Sequence, residues 1–256
     1  MSRPIKKSKI LKIAAIIPAR MGSSRFYGKP MKKINGIPMI GIVHNNALKA
    51  KNIDFVCVAT CDREIHEYIK SIGGISVLTS KKHERASERT AEALLKIEKK
   101  TKKKYDIVVM IQGDEPMIKP YMISKSIMPF IKNNKTQIVN LMTKIISNNE
   151  FNDVNEPKVV VNKKLEAIYF SRCPIPSTWK KTSKNIFKQV CVIPFKREAL
   201  LEFNKNKPTF LEKMESIDMN RVIENGGKIQ MVEINEYVKS VDTNADMKLV
   251  KKLMKN

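Results

Sequence analysis

Apolar residues in this chain gather in short runs, set apart by polar stretches of helical length. The first run, residues 13–17 (IAAII), is continuous, β-branched and too short for a helix, which predicts a strand buried on both faces. Pro18 is expected to end it. Residues 55–59 (FVCVA), 75–78 and 105–111 (YDIVVMI) repeat the pattern. Between these runs, residues 40–50 bring Ile40, Val43, Ala47 and Leu48 near one helical face. Residues 63–71 follow a capping Asp62 and stop at Gly73-Gly74. Residues 87–100 space Ala91, Leu94 and Leu95 for one face of a third helix, and Asn35-Gly36 marks a turn. Strand–helix alternation through residue 116 predicts a parallel sheet with helices on both faces.

Beyond residue 116 the texture changes. Strands are expected at 138–144, 158–161, 165–170, 190–195 and 229–234, joined by polar turns such as 162–164. A helical region at 210–224 lies between the last two. The predicted fold class is α/β, mostly parallel with a partly antiparallel second half. It forms a single domain over the 256 residues, with halves at about 12–125 and 126–245.

The formal net charge of +24 raises the question of nucleic acid. Nine Arg stand against forty Lys, scattered from end to end, and no basic run is interleaved with aromatics. A compositional preference for Lys accounts for the charge, and the densest cluster, 99–104, reads as a solvated helix end. No nucleic-acid partner is expected. No apolar segment approaches the roughly 18 residues of a membrane span. The basic start leads into an apolar run too short for a signal-peptide core, so a cytoplasmic protein without membrane insertion is expected. Cys57, Cys61, Cys173 and Cys191 form no CxxC pair and read as reduced, structural thiols.

Chemistry is expected where strands end. Straight after the first strand come Arg20, Gly22, Ser23, Ser24, Arg25, Gly28 and Lys29, a cationic, donor-rich loop. Ligands of open α/β sheets sit beyond the carboxyl ends of strands, so this is an anion cradle or else a surface loop. It matches neither GxGxxG nor GxxxxGK[ST]. Residues 112–116 (QGDEP) deliver Asp114 and Glu115 to the same edge. Acid beside base there fits a nucleoside triphosphate with Mg²⁺; a polar turn is the alternative. Asp242 in SVD is a second acid, or else a cap for a helix at 247–254. His83 opens HERASER and is explained by a turn before a helix capped by Ser87, with no acid–base role.

Five segments, IIPARMGSSRFYGKP, HERASER, QGDEPMI, YFSRCPIP and SVDT, occur in that order. Together they resemble the CMP-Kdo synthetases, the 3-deoxy-manno-octulosonate cytidylyltransferases, over nearly the whole chain. The resemblance implies a three-layer α/β/α nucleotidyltransferase (Rossmann-like) fold. It implies transfer of CMP from CTP to a 2-keto-3-deoxy sugar acid, with Mg²⁺ as cofactor and pyrophosphate as product. Arg20, Ser23, Arg25 and Lys29 match positions for CTP phosphates, and Arg89 and Gln112 fall in segments enclosing the cytidine. Lys29, Asp114 and Arg25 carry the catalytic roles, and Asp114 and Asp242 the metal. Arg172, Gln189, Glu215 and Asp218 fall to the acidic sugar. A homodimer, with its interface in the second half, and a role in lipopolysaccharide or surface glycan synthesis are implied too.

The departures gather near the sugar. Arg85 and Ala86 replace the family's Ser and Gly, and Phe26-Tyr27 its Leu-Pro. Gln189, Ile193 and Met219 replace His, Tyr and Gln, and Asp218 replaces Glu. A pocket built to bond hydroxyls discriminates strongly, so a different ulosonic or nonulosonic acid is the alternative substrate. Readings from other classes are a non-catalytic nucleotide-binding protein, disfavoured by Lys29, Asp114 and Asp242, and a nucleic-acid module, which salt-dependent oligonucleotide binding would reveal.

Overall fold

The computed structural model describes residues 11–22, 26–179 and 185–255. Ser23 and Arg25, expected at the phosphates, lie outside the described residues. In chain order come β1 (Ile13–Ala19), a 3-10 turn (Lys29–Met31), β2 (Lys33–Ile34), β3 (Ile37–Pro38), α1 (Met39–Leu48), β4 (Phe55–Thr60), α2 (Arg63–Ser71), β5 (Ser76–Leu78) and α3 (Ala86–Thr101). Then follow β6 (Ile107–Ile111), α4 (Pro120–Lys132), β7 (Ile138–Lys144), α5 (Asn148–Asn152), β8 (Lys158–Val161), β9 (Ala167–Ser171), β10 (Phe187–Val190) and β11 (Val192–Lys196). The last elements are α6 (Arg197–Lys205), α7 (Phe210–Glu215), α8 (Asn220–Glu224), β12 (Ile229–Ile234) and α9 (Asn244–Leu253).

Among the described residues ten strands make one sheet, in the order β5-β4-β1-β6-β11-β7-β10-β8-β9, with β12 beside β7. β5, β4, β1 and β6 are mutually parallel. β11 runs antiparallel to β6, as does β10 to β7 and β8 to β9, whereas β12 is parallel to β7. The sheet is thus mixed, with its antiparallel part in the second half. Alternation along β1 sorts the core. Ile13, Ala15 and Ile17 share a cluster with Ile40 of α1, Ile65 of α2 and Ile127 of α4. Ala14 and Ile16 share another with Leu94 of α3 and Leu200 of α6. Two helical layers therefore enclose the sheet. Because both of its faces are covered, β1 is apolar at every position.

The chain leaves β1 for β4 and β5 on one side, then returns through α3 to β6 on the other. That reversal opens a crevice beyond the carboxyl ends of β1 and β6. Pro18 does not stop β1, which runs on to Ala19 against Thr60. Pairing with β6 ends at Ile16 and Met110, and the Pro18 carbonyl accepts from the Gly113 amide at 3.4 Å on that same side. The missing proline N–H thus falls where the ladder is already over.

Two helices escape the sequence pattern, and two expected elements need correcting. Pro120 and Pro129 disguise α4, yet Pro120 sits in the first turn where no N–H is required, and Met122, Ile123, Ile127 and Phe130 form its buried stripe. α6 follows β11 with no linker to announce it. The helical region at 210–224 breaks at Ser216, whose φ of 51° no continuing helix adopts. The strand at 190–195 divides at Cys191, where the chain passes from β7 to β6. In addition, α3 begins at Ala86 and takes Ser87 inside it; Glu88 reaches back to the amides of Glu84 (3.0 Å) and Arg85 (3.1 Å) instead.

Candidate active site

A cavity of about 590 Å³ opens over the crevice. Four strand ends build it. β1 supplies Arg20 and leads to Lys29, β6 supplies Gln112 and Asp114, the β10–β11 step supplies Gln189 and Ile193, and the chain after β12 supplies Asp242. Arg89 from α3, Arg172 after β9 and Asp218 before α8 complete the wall. Of the sequence-predicted site residues that are described, all but Glu215 line this one cavity.

The tightest feature is a charge triangle. Lys29 Nζ donates to Asp114 Oδ2 at 2.5 Å, Asp242 Oδ1 at 3.0 Å and the Val241 carbonyl at 3.1 Å. Burial alone would depress this ammonium, but the two carboxylates override it and hold Lys29 above its ordinary pKa. The left-handed Gly28 (φ 68°) opens the turn that aims Lys29 inward. Asp242 is not a helix cap: Thr243 caps α9, its hydroxyl accepting from the Asp246 amide at 3.2 Å. Asp114 Oδ1 is buried and finds no hydrogen-bond partner among the described residues. An unpartnered buried carboxylate oxygen is costly unless a ligand arrives. It suits a hard cation that takes few protein ligands and keeps water or phosphate oxygens for the rest. Among the described residues no group of three His, Cys, Asp or Glu gathers to cage a metal alone.

Arg89 is 3% exposed and donates to Thr79 Oγ1 (2.6 Å) and the carbonyls of Ser80 (3.2 Å) and His83 (3.4 Å). Arg20 meets the same His83 carbonyl at 3.4 Å. These two arginines therefore shape the segment before α3 as well as lining the cavity. The His83 ring itself turns to Glu92.

At the opposite end Arg172 is held by three carbonyls, those of Glu215 (2.6 Å), Val154 (2.8 Å) and Ser216 (3.4 Å). Glu215, expected at the sugar, lies behind this wall. Its carboxylate is consumed by the Tyr169 hydroxyl (2.8 Å), the Ser171 hydroxyl (2.7 Å) and the Arg172 amide (2.8 Å), so it fixes Arg172 rather than facing the cavity. Gln189 donates to Asn140 Oδ1 at 2.7 Å. Burial raises the Asp218 carboxyl, against the pull of Arg85, whose Nη1 stands 3.3 Å away. Ile193 and Met219, 2% and 0% exposed, present apolar surface to the same end.

Glu115 was legible only as part of an acidic pair. In the structure it is 3% exposed and accepts from the Cys191 amide at 3.0 Å, while the Gln112 amide donates to the Cys191 carbonyl at 3.0 Å. Both contacts pin the chain at the strand change. Burial, with Asp114 next to it, pushes the Glu115 carboxyl up to about 8.

A sequence profile described as cytidylyltransferase matches residues 14–233. The 3-deoxy-manno-octulosonate cytidylyltransferase of Geotalea daltonii is 37% identical over 257 residues, covering 96% of this chain and 99% of its own. The enzyme of the same name from Fusobacterium nucleatum is 38% identical, covering 94% and 96%. The chain belongs to the 3-deoxy-manno-octulosonate cytidylyltransferase family. It is accordingly a nucleotidyltransferase. A solved CMP:2-keto-3-deoxy-manno-octonic acid synthetase in complex with CTP superposes on this family member with a TM-score of 0.86 at 32% identity, covering 95% of this chain and 98% of that one. The 4-diphosphocytidyl-2C-methyl-D-erythritol synthase of Anaerococcus prevotii shares the fold, with a TM-score of 0.63 at 14% identity. Among the described residues no helix is long and apolar enough to cross a membrane.

Proposed function

We propose that the chain transfers CMP from CTP to 3-deoxy-manno-octulosonate and releases pyrophosphate. The observation that carries this reading is the Lys29–Asp114–Asp242 triangle at the crevice of a cytidylyltransferase fold, with one Asp114 oxygen left for a ligand. The anomeric hydroxyl attacks the α-phosphorus in line as the bond to pyrophosphate breaks. Such a reaction asks the protein for position and charge rather than for a covalent nucleophile. Lys29 neutralises charge gathering on the leaving pyrophosphate, Arg20 receives phosphate oxygens, and Gln112 and Arg89 bound the base. Arg172 meets the sugar carboxylate. Mg²⁺, held by Asp114 and Asp242, would draw charge from the attacking and leaving oxygens. Pyrophosphate release from CTP, measured with Kdo and a panel of sugar acids and with or without EDTA, tests the reading. No CTP-dependent release with any acid would overturn it.

A second reading concerns the acid alone. Ile193 and Met219 offer hydroxyls almost nothing, and a hydroxyl left unpaired in a closed pocket costs about 1–3 kcal/mol. A related ulosonic acid with an apolar or modified group there should compete with Kdo. Competition on the native protein and on Ile193→Tyr, Met219→Gln decides; strong native preference for Kdo, unimproved by the double change, rejects this reading.

The same proposal includes a homodimer through the β8–β9 side. β9 is an edge strand with Ile168 53% exposed, and Trp179 nearby in sequence is 90% exposed. Sedimentation of the native protein against Ile168→Lys checks it. The four cysteines are free thiols, which supports a reducing cytoplasm, where CTP would be used to activate a surface-glycan sugar.

A further inference from the structure

Under the sugar end of the cavity lies a chain of buried ion pairs that none of the assigned roles uses. Lys188 Nζ meets Glu150, Glu156 Oε2 at 3.0 Å and the Val238 carbonyl at 2.7 Å. Glu156 passes the contact on: its Oε1 meets Lys239 Nζ at 2.5 Å. Lys239 also reaches Asp153 Oδ2 at 3.3 Å and Asp246 Oδ1 at 3.2 Å. The other Asp246 oxygen accepts from the Asp242 amide (3.1 Å), the Thr243 amide (2.8 Å) and the Thr243 hydroxyl (2.8 Å). Lys188, Glu156, Lys239 and Asp246 are 1%, 3%, 7% and 9% exposed.

Taking four charges out of water is costly, and apolar side chains of like volume would stabilise such a site as well or better. Stability therefore gives no reason for the chain to exist. Helix capping gives only part of one: capping α9 needs an acceptor at Asp246, not an ammonium on its second oxygen. What the ions supply is direction. They join the cavity wall at Glu156 to the backbone amide of Asp242, three residues beyond Lys239. Groups that hold a reacting phosphate or its counter-ion must be fixed to about 0.5 Å, which only a supported backbone achieves.

We propose that Lys239 and Asp246 are positioning residues for Asp242, holding its loop through the Glu156–Lys239–Asp246 relay. This rests on the cytidylyltransferase reading above. The test uses the full chain with CTP, and reads Mn²⁺ binding by the electron paramagnetic resonance of the free ion. Lys239→Met should weaken Mn²⁺ binding about 10- to 100-fold, the effect expected when a support of a ligand is removed, and should lower kcat more than it raises KM for CTP. Asp246→Asn keeps an acceptor for the cap but loses the charge, so it decides the matter should Lys239→Met fail to fold; the same weakening is expected. The double change should be no worse than either single one, since both cut one link. Arg197→Met is the control. It breaks a distant pair with Glu98 (2.8 Å) and should lower the Tm without moving Mn²⁺ affinity. Native affinity in folded Asp246→Asn, or equal weakening in Arg197→Met, overturns the proposal while leaving the activity intact. Failure of the native protein to bind Mn²⁺ with CTP would sink the cytidylyltransferase reading and this one together.

Discussion

The two halves of the molecule position their functional groups by different means. In the first, Ile13–Ala19 and Ile107–Ile111 are apolar throughout, and charge appears only past their ends. The ends of β1 and β6, with the Gly28 turn between β1 and Lys29, deliver Lys29 and Asp114 to one place. In the second half more charge enters the interior: Glu150, Glu156, Lys158, Lys188, Glu212, Arg221, Lys239 and Asp246 are all buried, against Arg89, Glu98 and Glu115 in the first. There, antiparallel strands and short helices are tied by ion pairs, such as Glu212 with Arg221 at 2.6 Å. A parallel sheet brings its strand ends to one edge, and short turns there place the groups. An assembly of short pieces needs directional contacts, and accepts their desolvation cost.

The largest effect should come from the shared edge of the halves. Asp114→Asn and Asp242→Asn should each lower turnover by about 10²-fold or more with the fold intact, as loss of a charge-stabilising group does. Steady-state kinetics with a circular-dichroism check measures this. Near-native Mg²⁺-dependent turnover in Asp242→Asn would leave the edge to the first half alone. Next, Glu156→Gln should destabilise the fold by about 2 kcal/mol, since it removes the one carboxylate shared by Lys188 and Lys239 and leaves Glu150 to the first and Asp153 and Asp246 to the second. Urea unfolding would read it; an unchanged midpoint would break the comparison. Lys29→Ala should then reduce kcat more than it raises KM for CTP, because its contact strengthens as pyrophosphate forms. A raised KM at constant kcat would make Lys29 an ordinary binding group.

The smallest effect belongs to the first half. His44 in α1 is 1% exposed, with the Asn45 side chain beside its ring. Burial lowers its pKa below the ordinary 6.5, so the unfolded chain takes up the proton first. Stability should be intact above pH 6.5 and fall as pH drops below it. Thermal unfolding against pH should show a shallower decline in His44→Leu; identical profiles would remove His44 from the account.

Legibility followed the same division. β1, β4 and β6 are continuous apolar runs, so the first half could be read nearly strand by strand. The Asn35-Gly36 turn appears as the β2–β3 hairpin, with φ of 49° and 88°. Pro120 and Pro129 hid α4 because proline marks breaks in sequence, while its tolerance in a first turn is a matter of position. The lysine excess hid more. Lys158, Lys188 and Lys239 look like the other lysines, and only three-dimensional proximity to Glu150, Asp153 and Glu156 sets them apart. The family resemblance assigns Glu215 to the sugar, but one layer of depth separates a wall from its support.

The Lys29 triangle also constrains how the molecule is made. Asp114 lies 85 residues after Lys29, and Asp242 follows Lys29 by 213. At about 5–20 residues per second, a ribosome needs roughly 10–40 s to pass from the lysine to the second aspartate. During that interval Lys29 can meet only its nearer carboxylate. Packing of Phe26, Ile34 and Met39 against Val241, Met247 and Val250 waits equally long. A nascent chain can thus assemble the β1–β4–β6 sheet early while its reactive corner stays open. Translational arrest anywhere before residue 242 leaves the chain without a complete centre.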